Sequence, residues 1–149
     1  MTIGEVVDPV MLPIAYAIAV AFVIWLVWHV ARAYPSAPKR VPTGIRADGR
    51  PGRLGPKATL WLAPLIIALA VGATGVGLLV TPVRPEQHLL LTLVMIAVVE
   101  VTWFAGWTID RQIELARKMT YRVAPSRMLR VLLPLLATVV ALVFVGAHP

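Results

Sequence analysis

HLLLTLVMIAVVEVTWFAGWTI, residues 88–109, is the stretch that decides the fold. An α-helix rises ~1.5 Å per residue, so this run is long enough to cross a hydrocarbon core of ~30 Å. One carboxylate, Glu100, stands near its middle, and Trp103 and Trp107 follow one and two turns later. A carboxylate that faces lipid at this depth costs at least ~2–3 kcal/mol. Glu100 is therefore expected to face protein, to face water or to be protonated.

The composition of the whole chain agrees with a membrane protein. Of the 149 residues 59% are hydrophobic and 14% are charged, and the mean hydropathy is +0.83. These values lie far from those of soluble globular domains. Three further apolar runs predict an all-α integral membrane fold, a four-helix transmembrane bundle that forms one domain over residues 1–149. The predicted spans are residues 10–33, 58–80, 88–109 and 128–147, and loops at 34–57 and 110–127 connect them on one side.

The first span has a recognisable start in the sequence. Asp8 is a suitable N-cap residue, and Pro9 after it suits the first position of a helix. The third span is followed by a polar segment in which Glu114 and Lys118 have the favourable i,i+4 order. We therefore expect the first helix to begin at Asp8 and the third to continue beyond the membrane until about Pro125.

Basic residues are distributed unequally between the two sides of the predicted bundle. Seven Lys and Arg lie in residues 32–57 and six in residues 111–130, whereas the opposite side holds only Arg84. The positive-inside rule places both basic loops in the cytoplasm and both termini outside. All five tryptophans fall near span ends on the basic side. Membrane topology accounts for the net charge of +7, so this charge does not indicate nucleic-acid binding.

The first basic loop contains VPTGIRADGRPGRLGPK at residues 41–57. Its many prolines and glycines predict an irregular loop with turns at residues 48–49 and 50–52. With the apolar run that follows, it resembles the signature of a bacterial membrane domain of unknown function that is found in SdpI-type immunity proteins. The motif positions that match are Pro42, Gly49, Pro51 and Lys57. The resemblance implies a multi-pass protein of the bacterial inner membrane, not known to be catalytic and sometimes linked to peptide immunity or signalling.

The loop also departs from that signature. Gly44 stands where the family has His, Arg46 where it has a polar Asn or Asp, and Gly52 where it often has Asp. The turn-forming residues are kept, whereas the groups that could coordinate or titrate are missing. The resemblance implies an extracytoplasmic loop, which conflicts with the charge distribution, and we follow the charge distribution.

Two intramembrane polar residues are candidates for function, Glu100 and His29. Glu100 could be a proton or cation relay site or make a hydrogen bond between subunits; alternatively, its carboxyl locks helix packing while protonated or bonded to tryptophan and threonine. With the first and third spans running the same way, His29 is expected about one turn nearer the cytoplasm than Glu100. The two could form a proton path, or His29 could be an interfacial anchor.

Small residues in the second span predict close helix packing. Gly72, Gly75 and Gly77, with their alanine neighbours, provide the small-xxx-small spacing that lets helices approach closely. We expect them to serve packing within the chain rather than a dedicated dimer contact.

The functional prediction is a non-catalytic membrane protein that acts through helix contacts with a partner membrane protein or peptide, in an accessory, immunity or regulatory role. The chain has no cysteine, no Ser/His/Asp grouping and no metal-ligand spacing, so we expect no catalytic residue, metal or cofactor. Alternatives are a small proton-coupled transporter using Glu100 and a structural subunit of a larger respiratory or photosynthetic complex. The expected partners are membrane lipid, a membrane protein or a second copy, and anionic lipid at the basic loops.

Overall fold

Four long α-helices and one small β-hairpin make up the computed structural model, which describes residues 3–118 and 122–147. In chain order the elements are α1 (Ile3–Ala33), β1 (Arg40–Pro42), β2 (Leu54–Pro56), α2 (Leu62–Val80), α3 (Pro85–Arg117) and α4 (Pro125–Ala147). Each of the four helices is long and apolar enough to cross a membrane. The predicted all-α architecture with four candidate spans is confirmed, and it indicates a multi-pass membrane protein.

Helices α1 and α3 lie side by side, run in the same direction and form the centre of the molecule. Near the start of both helices, Ala15 and Ala19 pack around Met95. Near their ends, Leu26 and Val30 belong to the same buried cluster as Ile109. The buried residues of α1 recur every three or four positions and so form one stripe along the helix; they are Leu12, Ala15, Ala19, Val23, Leu26 and Val30.

Helix α2 packs closely against α1 at one glycine. A Cβ atom at Gly75 would collide with the hydroxyl of Tyr16, which donates a hydrogen bond to the Val71 carbonyl oxygen at 3.1 Å. By contrast, a Cβ atom at Gly72 or Gly77 would meet no atom within 4 Å. The close packing within the chain that was expected at Gly72 and Gly77 is not found, because both glycines lie on the exposed face of α2.

The loop predicted to be irregular contains a regular hairpin, so that part of the prediction is wrong, whereas the turn expected at residues 48–49 is present. Strands β1 and β2 are antiparallel, and Val41 lies opposite Gly55. The hydrogen bonds that extend this pairing join Thr43 N–H to Arg53 O at 2.7 Å and Lys57 N–H to Lys39 O at 3.1 Å. In an antiparallel pair, alternate residues direct their N–H groups away from the partner strand. The prolines occupy those outward positions, where no donor is required; they are Pro42, Pro51 and Pro56.

Several helix boundaries differ from the prediction. Helix α1 begins at Ile3, before the expected N-cap Asp8. Helix α2 begins at Leu62 after a 3₁₀ turn, Lys57–Trp61. Helix α3 ends at Arg117 instead of continuing to about Pro125, and residues 122–124 have no regular structure; residues 119–121 lie outside the described part.

The end of α3 and the segment after it contact the first loop. The Arg117 guanidinium donates to the carbonyl oxygen of Ser36 at 3.0 Å, and the Val123 N–H donates to the carbonyl oxygen of Gly49 at 3.0 Å. No local pattern in the sequence indicates these two contacts.

Candidate functional site

The two basic loops meet at one end of the molecule, called here the hairpin end and formed by residues 34–57, 110–118 and 122–127. Gly49 is one point of contact. Its backbone φ is +80°, its carbonyl oxygen accepts the Val123 N–H, and a Cβ atom there would collide with the Val123 backbone. Glycine is needed both for the positive φ and for the close approach. Val41 and Val123 are both buried, so the hairpin is docked rather than free.

The other matched loop positions hold this hairpin in place. Pro42 is buried in β1, and Pro51 pairs with Ile45 in an isolated bridge. The Lys57 ammonium donates to the Tyr34 carbonyl oxygen at 3.4 Å and lies 4.4 Å from the centroid of the Tyr34 ring. In this structure the four motif residues shape the hairpin and join it to Tyr34, just after α1, and to Val123, and none of them forms a chemically reactive group.

A histidine–aspartate pair joins α1 to α3 near the hairpin end. His29 Nε2 lies 2.8 Å from Asp110 Oδ1, and the His29 ring stacks on Trp25 with centroids 5.2 Å apart. Gly106 makes room for this stack, because a Cβ atom there would lie 2.6 Å from the Trp25 ring. The expectation that His29 lies about one turn from Glu100 is wrong, and the possible proton path between them is not formed, because His29 pairs with Asp110. The helical rise separates Glu100 from Asp110 by ~15 Å along α3.

Sequence reasoning missed Asp110, although the sequence shows it as the acid that directly follows the third apolar run. In the observed register Ala19 packs beside Met95. That register brings the last turns of α1 level with the polar end of α3 and not with its middle. The position of Asp110 was therefore readable from the sequence, whereas its pairing with His29 depends on the packing of α1 against α3.

Charged groups of both signs surround a cavity beside this pair. The cavity measures about 430 Å³ and lies between the end of α1 and the last turns of α3; its polar lining is Ser36, Asp110, Glu114, Arg117 and Lys118. The Arg111 guanidinium pairs with the Glu114 carboxylate. Within residues 3–118 and 122–147, no group of three or more histidine and acidic side chains is placed to hold a metal ion.

Glu100 occupies a different environment in the middle of α3. It lines an apolar cavity of about 300 Å³ between α1 and α3, with Met11, Ile14 and Ile18 opposite. Its Oε2 atom is buried and has no hydrogen-bond partner among the described residues. A buried polar atom left unbonded costs about 1–3 kcal/mol. The bonds from tryptophan and threonine, which are one of the two forms of the packing hypothesis, are not made to this oxygen.

A second buried oxygen without a hydrogen bond was not anticipated from the sequence. Thr108 Oγ1 is buried and has no partner in the described part of the chain. It lines a cavity of about 450 Å³ between α2 and α3, to which Gln112 also contributes. A lone threonine near the end of an apolar span is common, so the sequence offered no signal for this site.

Helix α4 lies at the edge of the bundle and contacts α3. None of its described residues is buried. Its outer face is a continuous apolar surface, formed by Leu129, Leu133, Leu136, Val139, Val140, Val143 and Phe144.

The chain was compared with family models, curated proteins and solved structures, and no match was found. The resemblance of the loop to the SdpI-type membrane domain therefore stays a prediction from the sequence.

Proposed function

We propose that this protein is a non-catalytic integral membrane protein that acts through contacts between its helices and a partner membrane protein or peptide, in an accessory, immunity or regulatory role. The observation that carries the proposal is the buried, unbonded Oε2 of Glu100 in an otherwise apolar groove. Where water is absent, polar side chains make hydrogen bonds across helices, and such bonds contribute about 0.6–2 kcal/mol. A partner helix with a hydroxyl or amide group would supply the missing bond.

The shape of the groove supports this interpretation. Ile14 and Ile18 of α1 are 53% and 46% exposed, and Ile96 of α3 is 39% exposed. These side chains flank the carboxyl on two helices, so a third helix can lie along the groove with Glu100 beneath it. The exposed Gly72 and Gly77 of α2 provide a second surface that a helix can approach closely.

The transporter alternative is less well supported by the geometry. A proton path along α3 would have to connect Glu100 with Asp110, and residues 101–109 between them contain no acidic, basic or histidine side chain. The gap is ~15 Å. A transporter would therefore need groups from other subunits to bridge this distance, whereas a helix contact needs Glu100 alone.

The test is purification from the native membrane in mild detergent, followed by measurement of the mass and composition of the complex. We expect a partner at fixed stoichiometry with the wild type. Glu100→Gln keeps hydrogen-bonding capacity and should retain the partner, whereas Glu100→Leu should lose it. Glu86→Gln, an exposed position at the start of α3, is the matched control.

Two results would contradict the proposal. A lone monomer or homo-oligomer that is unchanged in Glu100→Leu would overturn the partner interpretation. A pH-driven solute flux in liposomes that disappears in Glu100→Gln would favour the transporter instead, since glutamine cannot carry a proton. Recovery inside a large respiratory or photosynthetic assembly would specify the accessory role as that of a structural subunit.

A further inference from the structure

Helices α2 and α3 leave a cavity of about 450 Å³ between them toward the hairpin end. Most of its wall is apolar, and this lining includes Leu62, Ile66, Ile67, Val101, Phe104 and Ala105. The polar lining residues, Thr43, Thr59, Thr108 and Gln112, all lie toward the hairpin end, among the apolar Leu60 and Ile109. The cavity is therefore apolar along its length and polar at one end, which matches an amphiphile and not a uniformly apolar or a soluble ligand.

The polar end offers unused hydrogen-bond donors. Thr108 Oγ1 is buried without a partner, and Gln112, one turn later on α3, makes no side-chain hydrogen bond within the described residues. The hydroxyls of Thr43 and Thr59 already donate to backbone carbonyl oxygens, at 3.1 and 2.8 Å. Thr108 and Gln112 can therefore donate to ester oxygens of a ligand, which only accept hydrogen bonds.

The rim beside this polar end is positively charged. The Arg53 backbone carbonyl oxygen accepts both the N–H and the hydroxyl of Thr43, so Arg53 lies directly across the hairpin from the cavity lining. Arg46 follows the lining residue Gly44 by two positions. Both side chains are exposed and form no salt bridge with a described acid, although the charge of Arg46 acts on nearby Asp48, whose salt bridge is with Arg50 at 3.6 Å.

We propose that the cavity between α2 and α3 binds one anionic phospholipid from the leaflet on the hairpin side. The acyl chain lies along the apolar wall, the ester oxygens accept bonds from Thr108 and Gln112, and the phosphate lies near Arg46 and Arg53. A phospholipid has the required order of chemical groups, and it reaches the cavity from within the membrane. This inference does not depend on the proposed helix partner, because Glu100 lines a separate cavity.

The experiment is native mass spectrometry of delipidated protein titrated with phosphatidylglycerol or with phosphatidylcholine of the same acyl chains. We expect one phosphatidylglycerol to bind per chain. The double substitution Arg46→Gln and Arg53→Gln removes two positive charges near the phosphate. It should weaken binding about thirtyfold. Thr108→Val should weaken it about fivefold through the lost hydrogen bond.

A matched pair of substitutions tests the location. Ile66 lines the cavity and is 62% exposed, whereas its neighbour Leu65 does not line it and is 57% exposed. Ile66→Trp should abolish retention of the lipid, and Leu65→Trp should leave it unchanged, with both variants eluting as the wild type does. Equal affinity for the two lipids, or the same behaviour of both tryptophan variants, would overturn the proposal.

Discussion

Two carboxylates on α3 have opposite surroundings. Asp110 near the hairpin end is bonded to His29 of α1, whereas Glu100 in the middle of the helix has a buried oxygen without a partner in the described chain. Both groups lie beside α1, so proximity to a second helix does not explain the difference. What differs is the register, which brings a polar α1 residue beside Asp110 and only apolar ones beside Glu100. The unbonded group is the one to which our proposal assigns a partner from outside the chain.

The largest expected effect on stability comes from crowding Gly106, which makes room for the stack of Trp25 on His29. Gly106→Leu should drive Trp25, and the His29 ring stacked on it, away from α3. Even a Cβ atom at position 106 would lie only 2.6 Å from the Trp25 ring. Overpacking of this kind costs about 3 kcal/mol. Thermal unfolding in detergent should show this loss. Gly77→Leu, in open space on α2, should show none, and equal loss in both variants would refute the packing role of Gly106.

At Glu100 we expect a substitution to stabilise the protein, which is the opposite of the effect expected at Gly106. Glu100→Met should raise the free energy of unfolding of the purified, partner-free protein by about 1–2 kcal/mol, since it removes a buried unbonded oxygen and keeps the side-chain volume. Denaturant titration of variant and wild type measures the difference. Asp110→Met is the control and should destabilise. Destabilisation by Glu100→Met would mean that Glu100 already has a stabilising bond within the protein.

Removal of the His29–Asp110 bond alone should change the free energy of unfolding by less than either of the preceding substitutions. Asp110→Asn should cost about 0.5–1 kcal/mol, because the His29 and Asp110 side chains are 26% and 44% exposed and solvent weakens the interaction. A double-mutant cycle with His29→Gln isolates the coupling. Glu100→Gln with His29→Gln should show no coupling, and a coupling as large as that of Asp110 would restore the His29–Glu100 pairing.

The smallest effect concerns a third carboxylate, outside the spans. The backbone N–H of Arg50 donates to Asp48 at 3.1 Å and, with the charges of Arg46 and Arg50, holds the pKa of Asp48 below its ordinary value of 3.8. Because the folded pKa is the lower one, this stabilisation is present above pH 3.8 and is lost as the pH falls through the folded pKa.

Hydrogen exchange of the Val123 amide measures this effect, because that amide reports docking of the hairpin tip. Its exchange should become faster, relative to amides in the middle of α3, as the pH falls below 3.8. Asp48→Asn keeps the acceptor but cannot titrate, and it should remove this relative change. An identical pH profile in the variant would show that Asp48 does not contribute.

The sequence predicted the helices better than the contacts between them. Four apolar runs indicated four spans, because helix length and hydrophobicity are properties of contiguous residues. The hairpin was missed because its prolines were interpreted as interruptions, although Pro42 and Pro56 lie at outward positions of the strands and Pro51 lies in an isolated bridge. Of the candidate site residues, Glu100 was identified from its depth in an apolar run, whereas its lack of a partner depends on what α1 presents opposite it.

The sequence alone therefore determined that this chain has four apolar helices, one carboxylate at the centre of the third, and a concentration of positive charge in two loops. Only the tertiary structure decided that His29 bonds to Asp110 and that Gly49 docks on Val123. It also decided which glycines are crowded, Gly75 and Gly106, and which lie in open space, Gly72 and Gly77. The physical reason is that the length and hydrophobicity of a helix depend on residues that are contiguous in the chain. The register between helices, in contrast, results from the fit of side chains that are distant in sequence.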